Sequence, residues 1–178
     1  MEPKNDRGGE PQADERTIAS LIATFQSGNG RMRQAAREHL CEIGEPAVPA
    51  LIEALSSPED QVRWEAAKAL THLPDPRAAD ALVATLKDSF SIRWLASEAL
   101  INIGLPALEP LVRGLLANPD APRLRESAHH VLTELKRAHP TNPYVAEMLE
   151  ALSGQAQTET VPWVARDILL KMGRIPSS

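Results

Sequence analysis

Residues 61–73, Gln-Val-Arg-Trp-Glu-Ala-Ala-Lys-Ala-Leu-Thr-His-Leu, decide the fold, because the chain repeats them four more times. The other copies are RMRQAAREHLCEI (31–43), SIRWLASEALINI (91–103), RLRESAHHVLTEL (123–135) and TVPWVARDILLKM (160–172). Aligned, they share four apolar columns. The first holds Met32, Val62, Ile92, Leu124 and Val161. The second is alanine throughout: Ala36, Ala66, Ala96, Ala128 and Ala165. The third is leucine throughout: Leu40, Leu70, Leu100, Leu132 and Leu169. The fourth holds Ile43, Leu73, Ile103, Leu135 and Met172. Offsets of 0, 4, 8 and 11 along each copy make the stripe of an amphipathic helix, not the alternation of a strand. The small alanine lets a neighbouring helix come close, and the leucine fills the space beside it.

A second, shorter helix precedes each copy. Ile18–Phe25 aligns with Val48–Leu55, and Ala79–Leu86, Leu108–Leu115 and Val145–Leu152 follow. The repeating unit is therefore a helix pair, with pairs at 15–44, 45–74, 75–104, 105–137 and 142–173. Gly44, Gly104 and Gly173 end second helices, with Pro74 in that role in the second pair. Pro46, Pro76, Pro106 and Pro143 open first helices, where a missing N–H costs nothing. Pro162 is read as lying in the first turn of its helix. A pair of this length cannot bury its apolar face alone, and stacked pairs bury a continuous core. The expected fold is all-α: a right-handed α-solenoid of five helix pairs forming one domain over 15–173. Polar segments flank it, a disordered N-terminal tail (1–14) and a C-terminal tail (174–178).

The pattern in Pro46–Leu86, PAVPALIEALSSPEDQVRWEAAKALTHLPDPRAADALVATL, resembles the HEAT-repeat family, in particular the short HEAT-like repeats of phycobilisome lyases. The PALIEAL segment, the turn residue Asp60, the Val62-Arg63 pair and the Ala/Leu columns carry the likeness, which covers roughly 16–173. Gly30 replaces the turn aspartate in the first pair, and Pro162 replaces the arginine in the last. The resemblance implies that the second helices line the concave side of an arc.

Bulk properties narrow the function. The 178 residues carry a net charge of −5, so charge alone gives no general affinity for nucleic acid. One cysteine cannot form an internal disulfide. No secretory leader opens the chain and no apolar run is long enough to span a membrane, so the expected location is cytoplasmic. No His-Glu-x-x-His motif, phosphate loop or CxxC is present, and neither metal nor cofactor is expected. The HEAT-like iron hydroxylases repeat His-Glu pairs, which this chain lacks. His129 and His130 are adjacent and diverge around a helix, which suits no shared metal. His39 is read as a half-buried, hydrogen-bonded histidine, and Cys41 shows no nucleophile signature.

The face of the second helices opposite the Ala/Leu stripe holds three columns: Gln34, Trp64, Trp94, Glu126, Trp163; then Glu38, Lys68, Glu98, His130, Asp167; then Cys41, Thr71, Ile101, Thr133, Leu170. All three tryptophans of an aromatic-poor chain fall in one column facing away from the core. Trp64, Trp94, Ile101, Lys68, Glu98, Thr71, His130 and Trp163 are therefore the candidate partner-binding residues, since exposed tryptophans anchor protein partners. The alternative is that the rings pack over gaps between helices. A further column, Arg33, Arg63, Arg93 and Arg125, flanks the core stripe. It is either a structural ladder tying down turn carboxylates such as Asp60 and Asp88, or an anion-binding set extended by Arg37 and Arg166. The leading functional expectation is a non-catalytic protein-interaction scaffold, with another protein or peptide as partner, no membrane and no nucleic acid. The other class is a ligand-handling enzyme on the same face, like a bilin lyase or an alkylpurine DNA glycosylase, with Glu98 near Trp94 as the available carboxylate.

Overall fold

The computed structural model describes residues 15–154 and 156–176. The tail expected over 1–14 lies outside these residues. Ten α-helices follow one another among the described residues: α1 (Glu15–Thr24), α2 (Gly30–Ile43), α3 (Val48–Ala54), α4 (Asp60–Leu70), α5 (Ala79–Thr85), α6 (Phe90–Ile103), α7 (Leu108–Ala117), α8 (Pro122–Ala138), α9 (Pro143–Ser153) and α10 (Gln157–Lys171). Single 3₁₀ turns containing Pro46, Pro76 and Pro106 lead into α3, α5 and α7. The corners before the first and third of these turns need glycine. Gly44 (φ 76°, ψ −135°) and Gly104 (φ 78°, ψ −145°) take backbone angles closed to residues with a Cβ.

The alanine and leucine columns are buried in all five copies, from Ala36 and Leu40 to Ala165 and Leu169. The first column is buried at Val62, Ile92, Leu124 and Val161, but Met32 is 53% exposed. Met32 belongs to the first pair, where its sulfur meets the Ser27 hydroxyl at 3.9 Å. The fourth column is half-buried except at Leu135.

The helices form two layers. In one, α2, α4, α6 and α8 pack each on the next. In the other, α1 packs on α3 and α5 on α7. The last pair breaks the alternation. α9 packs on α8, extending the second-helix layer, while α10 packs on α7 and so joins the first-helix layer. The cause lies upstream. α8 has 17 residues against 11 in α4 and 14 in α6, so the chain leaves it farther along, turns through His139–Asn142 and runs back against α8 itself. Asn142 accepts a hydrogen bond from the Val145 N–H (3.1 Å) and fixes the start of α9.

Three expectations are corrected here. α10 starts at Gln157, so Pro162 lies inside the helix, past its first turn. Its ring leaves the Thr158 carbonyl without the usual N–H donor. The described part of the C-terminal segment is not a free tail: Ile175 packs against the core and Arg174 pairs with Glu109 on α7 at 3.1 Å. His39 is exposed, not half-buried, because α2 has α4 on one flank only.

Candidate partner-binding face and arginine ladder

The arginine column divides three to one. Arg33 donates from Nη1 to the Ser27 carbonyl (2.6 Å), and Arg63 from Nη1 to the Ser57 carbonyl (2.9 Å). Arg125 donates from the same atom to the Pro119 carbonyl. In each case the acceptor lies six residues upstream, within the turn between the two helices of a pair. Each guanidinium thus satisfies a turn carbonyl that has no helical partner. Arg63 also holds carboxylates of two repeats, Asp60 (2.7 Å) and Asp88 (2.6 and 3.1 Å). The Arg63 guanidinium beside Asp88 holds its carboxyl below the usual carboxylate range, against the opposing effect of burial. The guanidiniums of these three arginines are engaged by turn carbonyls, and those of Arg33 and Arg63 by carboxylates as well.

Arg93 departs from this pattern. Position 90, which corresponds to Asp60, is phenylalanine, and Asp88 is already engaged by Arg63. The Lys87 carbonyl, six residues upstream of Arg93, faces Arg123 instead, at 3.5 Å. The Arg93 guanidinium lies over the Phe90 ring (5.4 Å to the centroid), and its Nη1 stands 2.9 Å from Glu126 Oε2 as an ion pair.

A carboxylate that sequence reasoning missed sits between α2 and α4. Glu65 is 2% exposed and receives Arg33 Nε (3.0 Å), Arg37 Nη1 and Gln61 Nε2 (3.1 Å). Arg37 is therefore a structural residue here, and its guanidinium also covers the Trp64 ring at 5.8 Å. Trp64 is half-buried and packs against the core.

Trp94 is 47% exposed and is the centre of an aromatic cluster. Its ring stacks on Phe90 (centroids 6.4 Å, planes 25° apart) and on His130 of α8 (5.0 Å, 18°). His130 Nε2 stands 3.6 Å from Glu98 Oε1 on α6. Phe90, 68% exposed, was not read from the sequence as a site residue. The available signal was its position one helical turn before Trp94. Lys68, Thr71 and Ile101 are half-buried, and the Thr71 carbonyl accepts from Asn102 at 2.9 Å, linking α4 to α6. These residues form the floor of the face, not projecting anchors.

Trp163 does not join them. It is 75% exposed, but α10 lies on α7 and α9, in the layer of first helices. Arg166 is carried there with it. The histidines adjacent in sequence also part: His129 reaches Ser153 of α9 (3.3 Å) while His130 stacks on Trp94. Burial pushes the Cys41 thiol up, away from the thiolate form a nucleophile needs. Among the described residues no group of three or more His, Cys, Asp or Glu is placed to hold a metal ion, and no helix is long and apolar enough to cross a membrane.

The sequence model of the HEAT-repeat family matches residues 18–101. The fold is a HEAT-repeat fold. The HEAT-repeat architecture is similar to that of a solved chain in "the complex of CpcE and CpcF of phycocyanin lyase from Nostoc sp. PCC7120". The two share 26% sequence identity and a TM-score of 0.56, over 86% of this chain and 99% of that chain. No curated protein sequence matches.

Proposed function

We propose that the chain is a protein-interaction scaffold that docks another protein on the exposed face of α4, α6 and α8, centred on Phe90, Trp94 and His130. The observation that carries this reading is the exposure of Phe90 and Trp94 as one stacked pair in a chain with two phenylalanines and three tryptophans. Large rings left in water at adjacent positions cost solubility without stabilising the fold, and such clusters anchor partners. That the similar HEAT-repeat chain is solved within a complex of two proteins supports a protein as partner. The half-buried floor of Lys68, Thr71 and Ile101 gives the face a rigid base.

The experiment is affinity capture with the wild-type chain and with Phe90→Ala/Trp94→Ala. A discrete partner held by the first and lost by the second, with equal helix content by circular dichroism, is expected. Equal capture by both would refute this face as the site.

A second reading follows from the likeness to a chain of a phycocyanin lyase complex: this chain would be one subunit of a lyase-like enzyme, working with a protein partner. It predicts a change in visible absorbance when the chain and its captured partner are incubated with phycocyanin. An unchanged spectrum would leave the scaffold reading alone.

A further inference from the structure

The two buried side-chain nitrogens that lack a hydrogen-bond partner among the described residues, Arg93 Nη1 and His130 Nε2, line the same cavity. This cavity, about 90 Å³, lies between α6 and α8 and is walled by Phe90 and Trp94. It has room for several waters or one small polar group, not for a large ligand. A buried polar nitrogen that makes no hydrogen bond marks a place where a further polar partner can be received.

Arg93 is also the one arginine of its column that does not close a turn. With the Lys87 carbonyl facing Arg123, the Arg93 guanidinium is off the ladder and lies over the Phe90 ring, next to Glu126. What it meets is Glu126, whose side chain is 69% exposed and whose approach at 2.9 Å does not complete a hydrogen bond to Nη1. A solvent-exposed carboxylate held in this way is weakly bound and can swing away. Glu98 Oε1 stands 3.6 Å from His130 Nε2, and the imidazole stacks on Trp94.

We propose that this cavity is the specificity pocket of the docking face: it takes an aspartate or glutamate side chain of the partner, which displaces Glu126 and bonds to Arg93 and His130, while an apolar neighbour of that residue covers Phe90 and Trp94. The proposal rests on the protein-binding reading above and names the chemistry the partner must bring, an acidic residue next to an apolar one. A planar carboxylate accepts from both nitrogens at once, which neither an amide nor a hydroxyl does as well.

The test uses phenylacetate, a carboxylate one carbon from a ring, and its neutral isostere phenylacetamide. Each is titrated into the full chain while the Trp94 indole N–H and the His130 ring signals are followed by NMR. Phenylacetate should shift both signals saturably, in the millimolar range of so small a ligand. Phenylacetamide should bind about tenfold more weakly or worse. Arg93→Gln should weaken phenylacetate about tenfold. Glu126→Gln should strengthen it about fivefold, because a competing carboxylate is removed. This gain on losing an exposed residue is not expected of a structural role and does not depend on Arg93→Gln folding well. Equal binding of the two probes, no response to phenylacetate at about 50 mM, or weaker binding by Glu126→Gln would overturn the proposal and leave a cavity filled by water. Partner capture is read separately: capture lost in Phe90→Ala/Trp94→Ala with no phenylacetate response would overturn the carboxylate pocket alone.

Discussion

Arg63 shows how much one side chain can hold in this fold. It closes the turn at Ser57, binds Asp60 of its own repeat and reaches Asp88 of the next, with only 17% of its side chain exposed. Replacing it with methionine keeps the stem and removes every donor, and should cost about 2 kcal/mol near neutral pH, measured by urea unfolding. The loss depends on pH. Because Arg63 lowers the pKa of Asp88 in the folded chain, the pair stabilises fully above the unfolded value of about 3.9 and loses this contribution as pH falls through the lower folded value. The gap between wild type and Arg63→Met should therefore be constant above about pH 5 and narrow in more acid solution; a constant gap down to pH 2 would show that Asp88 is not the partner that matters. At this scale the sequence was legible where a column repeats. It offered the ladder as one of two readings of the arginine column and placed Trp94 on the outer face. It hid what depends on one repeat differing from its neighbours. Phe90 stands where another repeat has an aspartate, and Glu65 stands where Ala35, Leu95, Ser127 and Val164 are found. Alignment averages such positions away, although they are where this chain departs from a uniform repeat.

Glu65 joins α2 to α4 through two arginines, so its removal acts on an interface between elements. Glu65→Ala would leave Arg33 and Arg37 half-buried without their common carboxylate, and should cost about 3 kcal/mol. The loss should be felt mainly as fraying of the first pair, read as faster amide hydrogen exchange in α1 and α2 than in α6. The corners are a second set of constraints between elements. Gly44→Ala and Gly104→Ala each force a Cβ into backbone angles near φ 77°, with no neighbouring atom within 4 Å to blame for a clash. Each should cost about 1–3 kcal/mol through backbone strain alone, whereas Gly28→Ala, in open space and without a positive φ, should cost less than either. Equal losses at all three positions would contradict the assignment of strain to the corners. These corners were visible in the sequence because Gly-x-Pro punctuates a repeat at fixed spacing. The start of α10 was not: copying the register of earlier repeats put it at Thr160, and nothing in the spacing signals the extra turn that places Pro162 inside the helix.

The whole molecule is a stack whose last pair is reversed, and this reversal sets which residues can act together. The apolar stripe of α10 is as good as that of any second helix, so periodicity predicts its burial but not the layer it is buried in. Length decides that, through the longer α8 and the turn that follows it. The result separates Trp163 from Trp94 and leaves the exposed Phe90 and Trp94, with the half-buried His130 beside them, as the aromatic cluster of the α4–α6–α8 face. Since Phe90 and Trp94 are exposed, removing both rings should lower the melting temperature by no more than a few degrees, and a collapse of the fold would show that they belong to the core. The central claim is that this cluster receives a protein partner. It is tested most directly by placing the photo-crosslinking residue p-benzoylphenylalanine at position 90 or at position 163 and irradiating in the native cell. The account predicts one discrete protein adduct from position 90 and none of that mass from position 163. The same adduct from both positions, or from position 163 alone, would contradict it.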